Sequence, residues 1–136
     1  MVTLSRTIPA LPVRDVVAAV GFYRDRLGFE TVHDEGGFAI VRRGDAEIHL
    51  WQAGDETWRA RVSPESPVCS GAESFIAGTA SCRILVGGVD ELYEELRRSD
   101  VLHPVSREDI SVTDFGTREF ATLDADGNLL TFYERA

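Results

Sequence analysis

Three side chains that could bind a ligand alternate along one short stretch of the sequence. Glu47, His49 and Trp51 are separated by Ile48 and Leu50, and this alternation predicts a β-strand with two different faces. A carboxylate, an imidazole and an indole on one face can hold a metal ion, form hydrogen bonds or stack on a flat ring. This strand face is therefore the first candidate for a binding surface.

The elements that would position this strand belong to a pattern that occurs twice. Residues 11–28 and residues 84–101 each read as a short apolar strand followed by an amphipathic helix with the i, i+3, i+4, i+7 spacing. Two copies are too few for a solenoid, which needs about three. We expect one domain with two related halves, and a chance similarity between two amphipathic helices is the alternative. The matching helix positions are Val16 with Val89, Ala19 with Leu92, Val20 with Tyr93, and Tyr23 with Leu96.

Each half is predicted to have the element order βαβββ within a single domain, residues 1–136. The halves span about residues 6–53 and 80–134, and the long loop 53–80 joins them. Asp15 and Gly28 are suitable caps for the first helix. The predicted strands are residues 6–13, 29–33, 38–42, 46–52, 81–86, 101–105, 117–123 and 129–133, and the second helix covers residues 89–99.

The resulting fold class is α+β, with two βαβββ modules that form a curved mixed sheet around a cleft and with the helices outside. Side chains of alternate parity then face the helices and the cleft. The parity assigns Ile48, Leu50, Leu130 and Phe132 to the helix side. It assigns to the cleft the side chains of Glu47, His49, Trp51, Ser81, Arg83, Leu85, Leu129, Thr131 and Tyr133.

The composition is that of an acidic globular protein. The formal net charge is −9, which argues against nucleic acid as a partner because that partner requires a basic surface. No apolar run approaches the ~20 residues that cross a bilayer, and the N-terminus lacks the apolar core of a signal peptide. We therefore expect a cytoplasmic protein without a membrane partner, in which Cys69 and Cys82 are free thiols.

Several stretches of the chain resemble the vicinal oxygen chelate superfamily, which includes glyoxalase I, extradiol dioxygenases, fosfomycin-resistance enzymes and bleomycin-resistance proteins. The resemblance lies in residues 13–29, 89–93 and 116–130, and motifs of this kind specify a fold more strongly than an activity. Residues 8–15 and 38–45 look most like the bleomycin-resistance branch. Members of that branch are cytoplasmic homodimers that exchange an N-terminal strand and bind the drug at the interface without modifying it. Pro9 matches the hinge of this exchange, so the resemblance implies a strand-swapped dimer.

The resemblance also implies where a metal would be held. The metal-dependent members use four cleft-facing positions, usually His or Glu, which correspond here to Ile8, His49, Ser81 and Thr131. Of these four, His49 is the one competent ligand, and a catalytic divalent site generally needs about three protein ligands. We therefore expect no metal, no cofactor and no catalytic residue. A two-residue slip in this alignment would reopen the enzymatic alternative.

A cleft without a metal offers aromatic rings and a few polar groups. Such walls are typical of a site for a flat heteroaromatic or quinone-like ligand. Two alternatives stay open: Glu47 and Arg83 could pair with each other across the cleft, and Trp58 and Phe75 could only hold the long loop against the dimer. The candidate ligand-binding residues are Phe38, Glu47, His49, Trp51, Trp58, Phe75, Arg83, Phe115, Thr131 and Tyr133.

The predicted function is antibiotic sequestration. The protein would bind a bleomycin-type glycopeptide, or another aromatic natural product such as an enediyne or a quinone-like compound, without chemical modification. The alternatives are a metal-dependent glyoxalase- or dioxygenase-like enzyme and an accessory binding protein in natural-product biosynthesis.

Overall fold

The structure is a computed structural model that describes residues 1–54, residue 72 and residues 76–136. Within these residues, the βαβββ order occurs twice. The first half contains strand β1 (Ala10–Val13), helix α1 (Val16–Leu27), and strands β2 (Glu30–Glu35), β3 (Phe38–Arg43) and β4 (Ala46–Gln52). The second half contains strand β5 (Ser81–Leu85), helix α2 (Val89–Arg98), and strands β6 (Ser111–Val112), β7 (Thr117–Leu123) and β8 (Leu129–Arg135).

The two halves form two four-stranded mixed sheets with the same strand arrangement. Their orders are β1-β4-β3-β2 and β5-β8-β7-β6. In each sheet the first strand runs parallel to the last, and the other pairs are antiparallel. The prediction of two βαβββ modules in an α+β fold is therefore confirmed. Neither helix in the described residues has the length and apolarity that would let it span a membrane.

The caps of α1 are as predicted. The Asp15 carboxylate accepts hydrogen bonds from the backbone N–H groups of Val17 and Ala18, at 2.9 and 3.4 Å, which satisfies two free donors of the first turn. Gly28 ends the helix with φ 76°, a left-handed conformation that glycine adopts without strain. A Cβ at this position would lie 2.7 Å from a guanidinium nitrogen of Arg43, so a larger residue would also displace the Arg43 side chain.

Two predicted strands differ markedly from the observed ones. In addition, the strand predicted at residues 29–33 is observed at Glu30–Glu35, and the short strand Ser111–Val112 lies in a predicted loop. The strand predicted at residues 6–13 begins at Ala10, because Pro9 has no N–H to donate to a ladder; residues 1–8 are exposed and have no regular secondary structure. The strand predicted at residues 101–105 is wrong. Leu102 forms a single bridge with Thr122, and Pro104–Ser106 form a short 3-10 helix, which proline at the first position favours.

A buried polar network joins the first half to the hairpin between β7 and β8. The Tyr23 hydroxyl donates to Asp124 Oδ2 at 2.8 Å, and the Asn128 side-chain amide donates to the Pro12 carbonyl at 2.8 Å and to Asp124 Oδ2 at 2.9 Å. The backbone N–H groups of Asp126 and Asn128 donate to Asp124 Oδ1, each at 2.9 Å. One carboxylate thus shapes the hairpin loop and anchors it to α1.

A smaller contact joins the halves at the C-terminal end of α1. Arg43 makes two hydrogen bonds to the Glu95 carboxylate, at 2.7 and 2.8 Å, and a third to the Leu27 carbonyl at 2.9 Å. This guanidinium therefore satisfies a free carbonyl at the C-terminus of α1 and links that end to α2.

Replacing Tyr23 with Phe should destabilise the protein and reduce its sensitivity to alkali. Burial, and then Asp124, raise the Tyr23 pKa well above its ordinary value of 10.0. The protonated hydroxyl therefore stabilises the folded protein fully below about pH 10, and this stabilisation is lost as the pH rises through the pKa of the folded state. We expect Tyr23→Phe to lower the free energy of unfolding at neutral pH by about 1–2 kcal/mol. Urea denaturation between neutral pH and about pH 11 measures both effects.

Tyr93→Phe is the control for this prediction, because the buried Tyr93 hydroxyl donates to a neutral group, the Ser106 carbonyl, at 2.6 Å. Because Tyr93→Phe retains the Tyr23–Asp124 contact, its free energy of unfolding should fall above about pH 10 nearly as much as that of the wild type. Identical pH profiles for Tyr23→Phe and the wild type would contradict the role given to the Tyr23–Asp124 contact.

Candidate functional site

The sheet of the first half has one face covered by α1 and one open face. Ala39 and Val41 of β3 and Ile48 and Leu50 of β4 are almost fully buried, as the alternation predicted for β4. The side chains of opposite parity form rows across the strands on the open face. These rows pair Phe38 with Trp51, Ile40 with His49, and Arg42 with Glu47.

The open face carries a continuous aromatic surface. The Phe38 ring centroid lies 4.5 Å from that of Trp51 and 5.2 Å from that of His49. The His49 ring is nearly perpendicular to Phe38, at 85°, which is a favourable edge-to-face arrangement. His33 of β2 lies 5.6 Å from the same Phe38 ring on another side. We call Phe38, His49 and Trp51 the ring surface.

Glu47 supplies the charge at one end of the ring surface. Its carboxylate accepts a hydrogen bond from Arg42 at 2.7 Å and contacts His49 Nε2 at 3.0 Å. The hydrogen bonds from Arg42 and then His49 lower the pKa of Glu47, so it is a carboxylate at neutral pH. Because a carboxylate only accepts hydrogen bonds, the facing nitrogen of His49 must carry its proton. Arg42 therefore orients Glu47, and Glu47 orients the imidazole.

The second half has its own charged and aromatic group. Arg83 pairs with the Glu119 carboxylate at 2.6 and 3.3 Å. Its guanidinium carbon lies 4.7 Å from the Tyr133 ring centroid and 5.9 Å from that of Phe115, distances typical of cation–π contacts. Thr131 is opposite Arg83 in the parallel ladder. We call Arg83, Phe115 and Tyr133 the arginine group.

The ring surface and the arginine group lie on different sheets, and within the described residues no hydrogen bond, ion pair or ring contact joins them. The alternative in which Glu47 pairs with Arg83 is wrong, because each already has a partner on its own sheet.

Trp58 and Phe75 lie outside the described residues. Arg42, Glu119 and His33 were missed by the sequence analysis. The cross-strand pairing of Arg42 with Glu47 could have been inferred from the tight turn between β3 and β4, whereas Arg83 and Glu119 are brought together only by the tertiary fold.

A depression between the two sheets is lined by Arg83 and Tyr133 of the arginine group and by Glu47, which contacts His49 of the ring surface. It has a volume of about 760 Å³ and is lined by the N-terminal residues 5–9, by residues 45–48 and 82–85, and by Tyr133. Glu47 and Arg83 are both in its wall. This is large enough for part of a drug-sized ligand or for a short extended peptide segment.

The four positions at which related enzymes hold a metal are not brought together as a set of ligands. Ile8 lies in the exposed N-terminal segment, and Ala10 is the residue opposite His49. Ser81 and Thr131 belong to the other sheet. Across the described ranges, no cluster of three or more His, Cys, Asp or Glu side chains could hold a metal ion.

Two comparisons of the sequence with known proteins find bleomycin resistance proteins. The family model described as bleomycin resistance protein-like N-terminal matches residues 7–44. A bleomycin resistance protein of Geobacillus stearothermophilus is 52% identical over 132 residues, which cover 96% of each chain.

Two solved structures have the same fold. A bleomycin-binding protein from bleomycin-producing Streptomyces verticillus, crystallised with copper(II)-bleomycin, is 30% identical with a TM-score of 0.71 over 97% of each chain. A second bleomycin-binding protein, crystallised with bleomycin, is 22% identical with a TM-score of 0.71 over 98% of this chain and 100% of that one.

Replacing Arg42 with Gln should raise the pKa of Glu47 towards its ordinary value, because the largest cause of its lowering is removed. Carbon-13 NMR titration of the glutamate carboxyl carbons measures this change directly. Arg43→Gln is the matched control, since Arg43 pairs with Glu95 rather than with Glu47. An unchanged Glu47 titration in Arg42→Gln would contradict the arrangement described above.

Proposed function

Because this chain belongs to the bleomycin resistance protein family, we propose that it binds a bleomycin-type glycopeptide antibiotic and sequesters it without chemical modification. The observation that carries this proposal is the ring surface, on which Phe38 and Trp51 lie 4.5 Å apart beside His49. A flat heteroaromatic part of the drug would stack there, and each favourable aromatic contact contributes about 0.5–1.5 kcal/mol beyond the burial of its area. Protection by sequestration requires a total of about −8 to −12 kcal/mol.

Binding without chemistry agrees with the side chains at the positions where related enzymes hold a metal. Ile8 and Thr131 cannot replace a histidine or a carboxylate as a divalent metal ligand. Glu47 is held by Arg42 and His49 at 2.7 and 3.0 Å, and Arg83 and Glu119 neutralise each other. These groups suit orientation of a ligand through hydrogen bonds and charge.

The protein would act as a homodimer that exchanges its N-terminal segment. Strand β1 pairs with the second half of β4, from His49 onwards, so the edge of β4 at residues 46–48 faces the depression between the sheets. The segment that could fill this strand-sized space is exposed and carries the apolar side chains of Val2, Leu4 and Ile8. An exposed apolar segment next to an open strand edge is suited to exchange between two copies of the chain.

A dimer would also explain why the ring surface and the arginine group occur on separate sheets. Each drug site would take the ring surface from one subunit and the arginine group from its partner. Leu85 and Phe115 are 60% and 67% exposed beside Arg83, which is unusual for large apolar side chains unless a partner or ligand covers them.

Trp51→Ala should weaken bleomycin binding at least tenfold while the fold is retained, because Trp51 is half-buried and lies on the open face rather than in the core. Isothermal titration calorimetry gives the affinity and the number of drug molecules bound per subunit. We expect one drug molecule per subunit. Elemental analysis of the same sample tests the enzymatic alternative, which requires near-stoichiometric metal.

Trp51→Phe is the matched control, since it keeps an aromatic ring against Phe38 and should lose less affinity than Trp51→Ala. Equal affinities for Trp51→Ala and the wild type would remove Trp51 from the binding site. A wild-type protein that fails to bind the drug would refute sequestration of bleomycin altogether.

Removal of residues 1–9 should convert the dimer into a monomer and reduce drug binding, because both the exchanged segment and the composite site would be lost. Light scattering coupled to size-exclusion chromatography measures the mass of each species. Arg6→Ala is the control: Arg6 makes a long, exposed ion pair with Asp45 at 3.7 Å, which contributes little, so this variant should remain dimeric. A truncated protein that is still a dimer would show that another surface joins the subunits.

A further inference from the structure

An irregularity in the outermost strand of the first sheet changes the direction of a side chain. Thr31 of β2 pairs with Val41 of β3, but the next pair is His33 with Ile40, so Val32 is an extra residue in the ladder. Such a β-bulge re-aims the side chains that follow it. In an unbroken ladder, Val32 would stand opposite Ile40, and His33 would stand opposite Ala39.

The bulge places His33 on the open face of the sheet. Because opposed residues share a face, pairing with Ala39 would have turned His33 towards α1, where Ala39 is completely buried. Pairing with Ile40 instead turns it to the side of the ring surface, and its ring centroid lies 5.6 Å from that of Phe38. Glu35, two residues later, pairs with Phe38 and follows the same parity.

His33 and Glu35 form a second imidazole–carboxylate pair beside Phe38. His33 Nε2 lies 3.0 Å from Glu35 Oε2, so that nitrogen carries the proton donated to the carboxylate, and in the neutral imidazole Nδ1 is left as an acceptor. The exposed oxygens of Glu35 and the His33 Nδ1 are therefore all hydrogen-bond acceptors at the edge of the ring surface.

The charge balance differs on the two sides of Phe38. The carboxylate of Glu47 is offset by the guanidinium of Arg42 at 2.7 Å. In the described part of the chain, the partner of Glu35 is His33, and the Glu35 side chain is 74% exposed. Within a protein of net charge −9, the Glu35 side of the ring surface is the more favourable one for a positive charge.

We propose that His33 and Glu35 are specificity-determining residues that bind a cationic group attached to the ring stacked on Phe38. This inference rests on the proposed function, because it takes the ring surface to be the drug site. Among aromatic ligands of similar shape, the His33–Glu35 pair would favour those with an amine, guanidine or other positively charged donor next to the flat ring.

Calorimetric titration with bleomycin at about 50 mM and about 300 mM salt tests the proposal, since salt screens an exposed charge pair. Glu35→Gln should weaken binding at least fivefold at low salt and remove much of the salt dependence. Asp34→Asn is the matched control: it removes the same charge from the adjacent residue, which pairs with Ala39 and so has the opposite parity, and should change affinity less than twofold. His33→Asn should weaken binding about threefold, with an unchanged circular dichroism spectrum for every variant.

Two results would overturn the proposal. If Glu35→Gln and Asp34→Asn have equal effects, the carboxylates act only through the net charge of the protein, and the inference fails while drug binding stands. If wild-type protein does not bind bleomycin at either salt concentration, the proposed function fails and this inference fails with it.

Discussion

The Asp124 carboxylate is the contact on which the relative placement of the two halves depends. A buried carboxylate is costly unless all of its oxygens are hydrogen-bonded, and Asp124 receives its donors from its own hairpin loop and from Tyr23 of α1. Asn128 extends this network to the Pro12 carbonyl at the end of β1. The loop cannot change shape without exposing or abandoning these groups, so the hairpin and the first half are held as one unit.

The placement of the halves determines which surfaces are available to a ligand. Every second side chain of β3 and β4 packs against α1 in the core. The side chains between them therefore lie on the open face. The side chains on that face are then fixed by local contacts: Arg42 orients Glu47, Glu47 orients His49, and His49 meets the edge of Phe38. The ring surface is thus held in place by contacts within the protein, which lowers the entropic cost of binding a ligand.

Much of the fold could be predicted from the sequence because the signals are local. Helix periodicity located α1 and α2, Asp15 and Gly28 marked the ends of α1, and strict alternation assigned the two faces of β4. The errors also have local causes, since Pro9 delays the start of β1 and Pro104 favours a 3-10 turn over a strand. The relation between the halves was visible only as similar spacing, whereas the buried network that joins them depends on residues far apart in the chain.

The candidate site could be predicted only in part. The parity of β4 placed His49 and Trp51 on the open face, and their contacts with Phe38 follow from the register of the β3–β4 hairpin. The partner of Arg83 could not be inferred, because Glu119 is 36 residues away in sequence and nothing local connects the two. His33 was missed for a different reason. Alternation assigns side chains to faces on the assumption of a regular ladder, and the bulge at Val32 adds one residue without a distinct sequence signal.

The same bulge affects how the protein behaves at high concentration. A protein that protects by stoichiometric capture must be abundant, and β2 lies at the edge of its sheet, with backbone groups open to pairing with another chain. An irregular ladder interrupts the flat edge that such pairing requires, and the exposed carboxylates of Glu30, Asp34 and Glu35 would repel their counterparts on a second molecule. One extra residue in β2 therefore makes this edge a poor template for pairing with the edge of a second molecule.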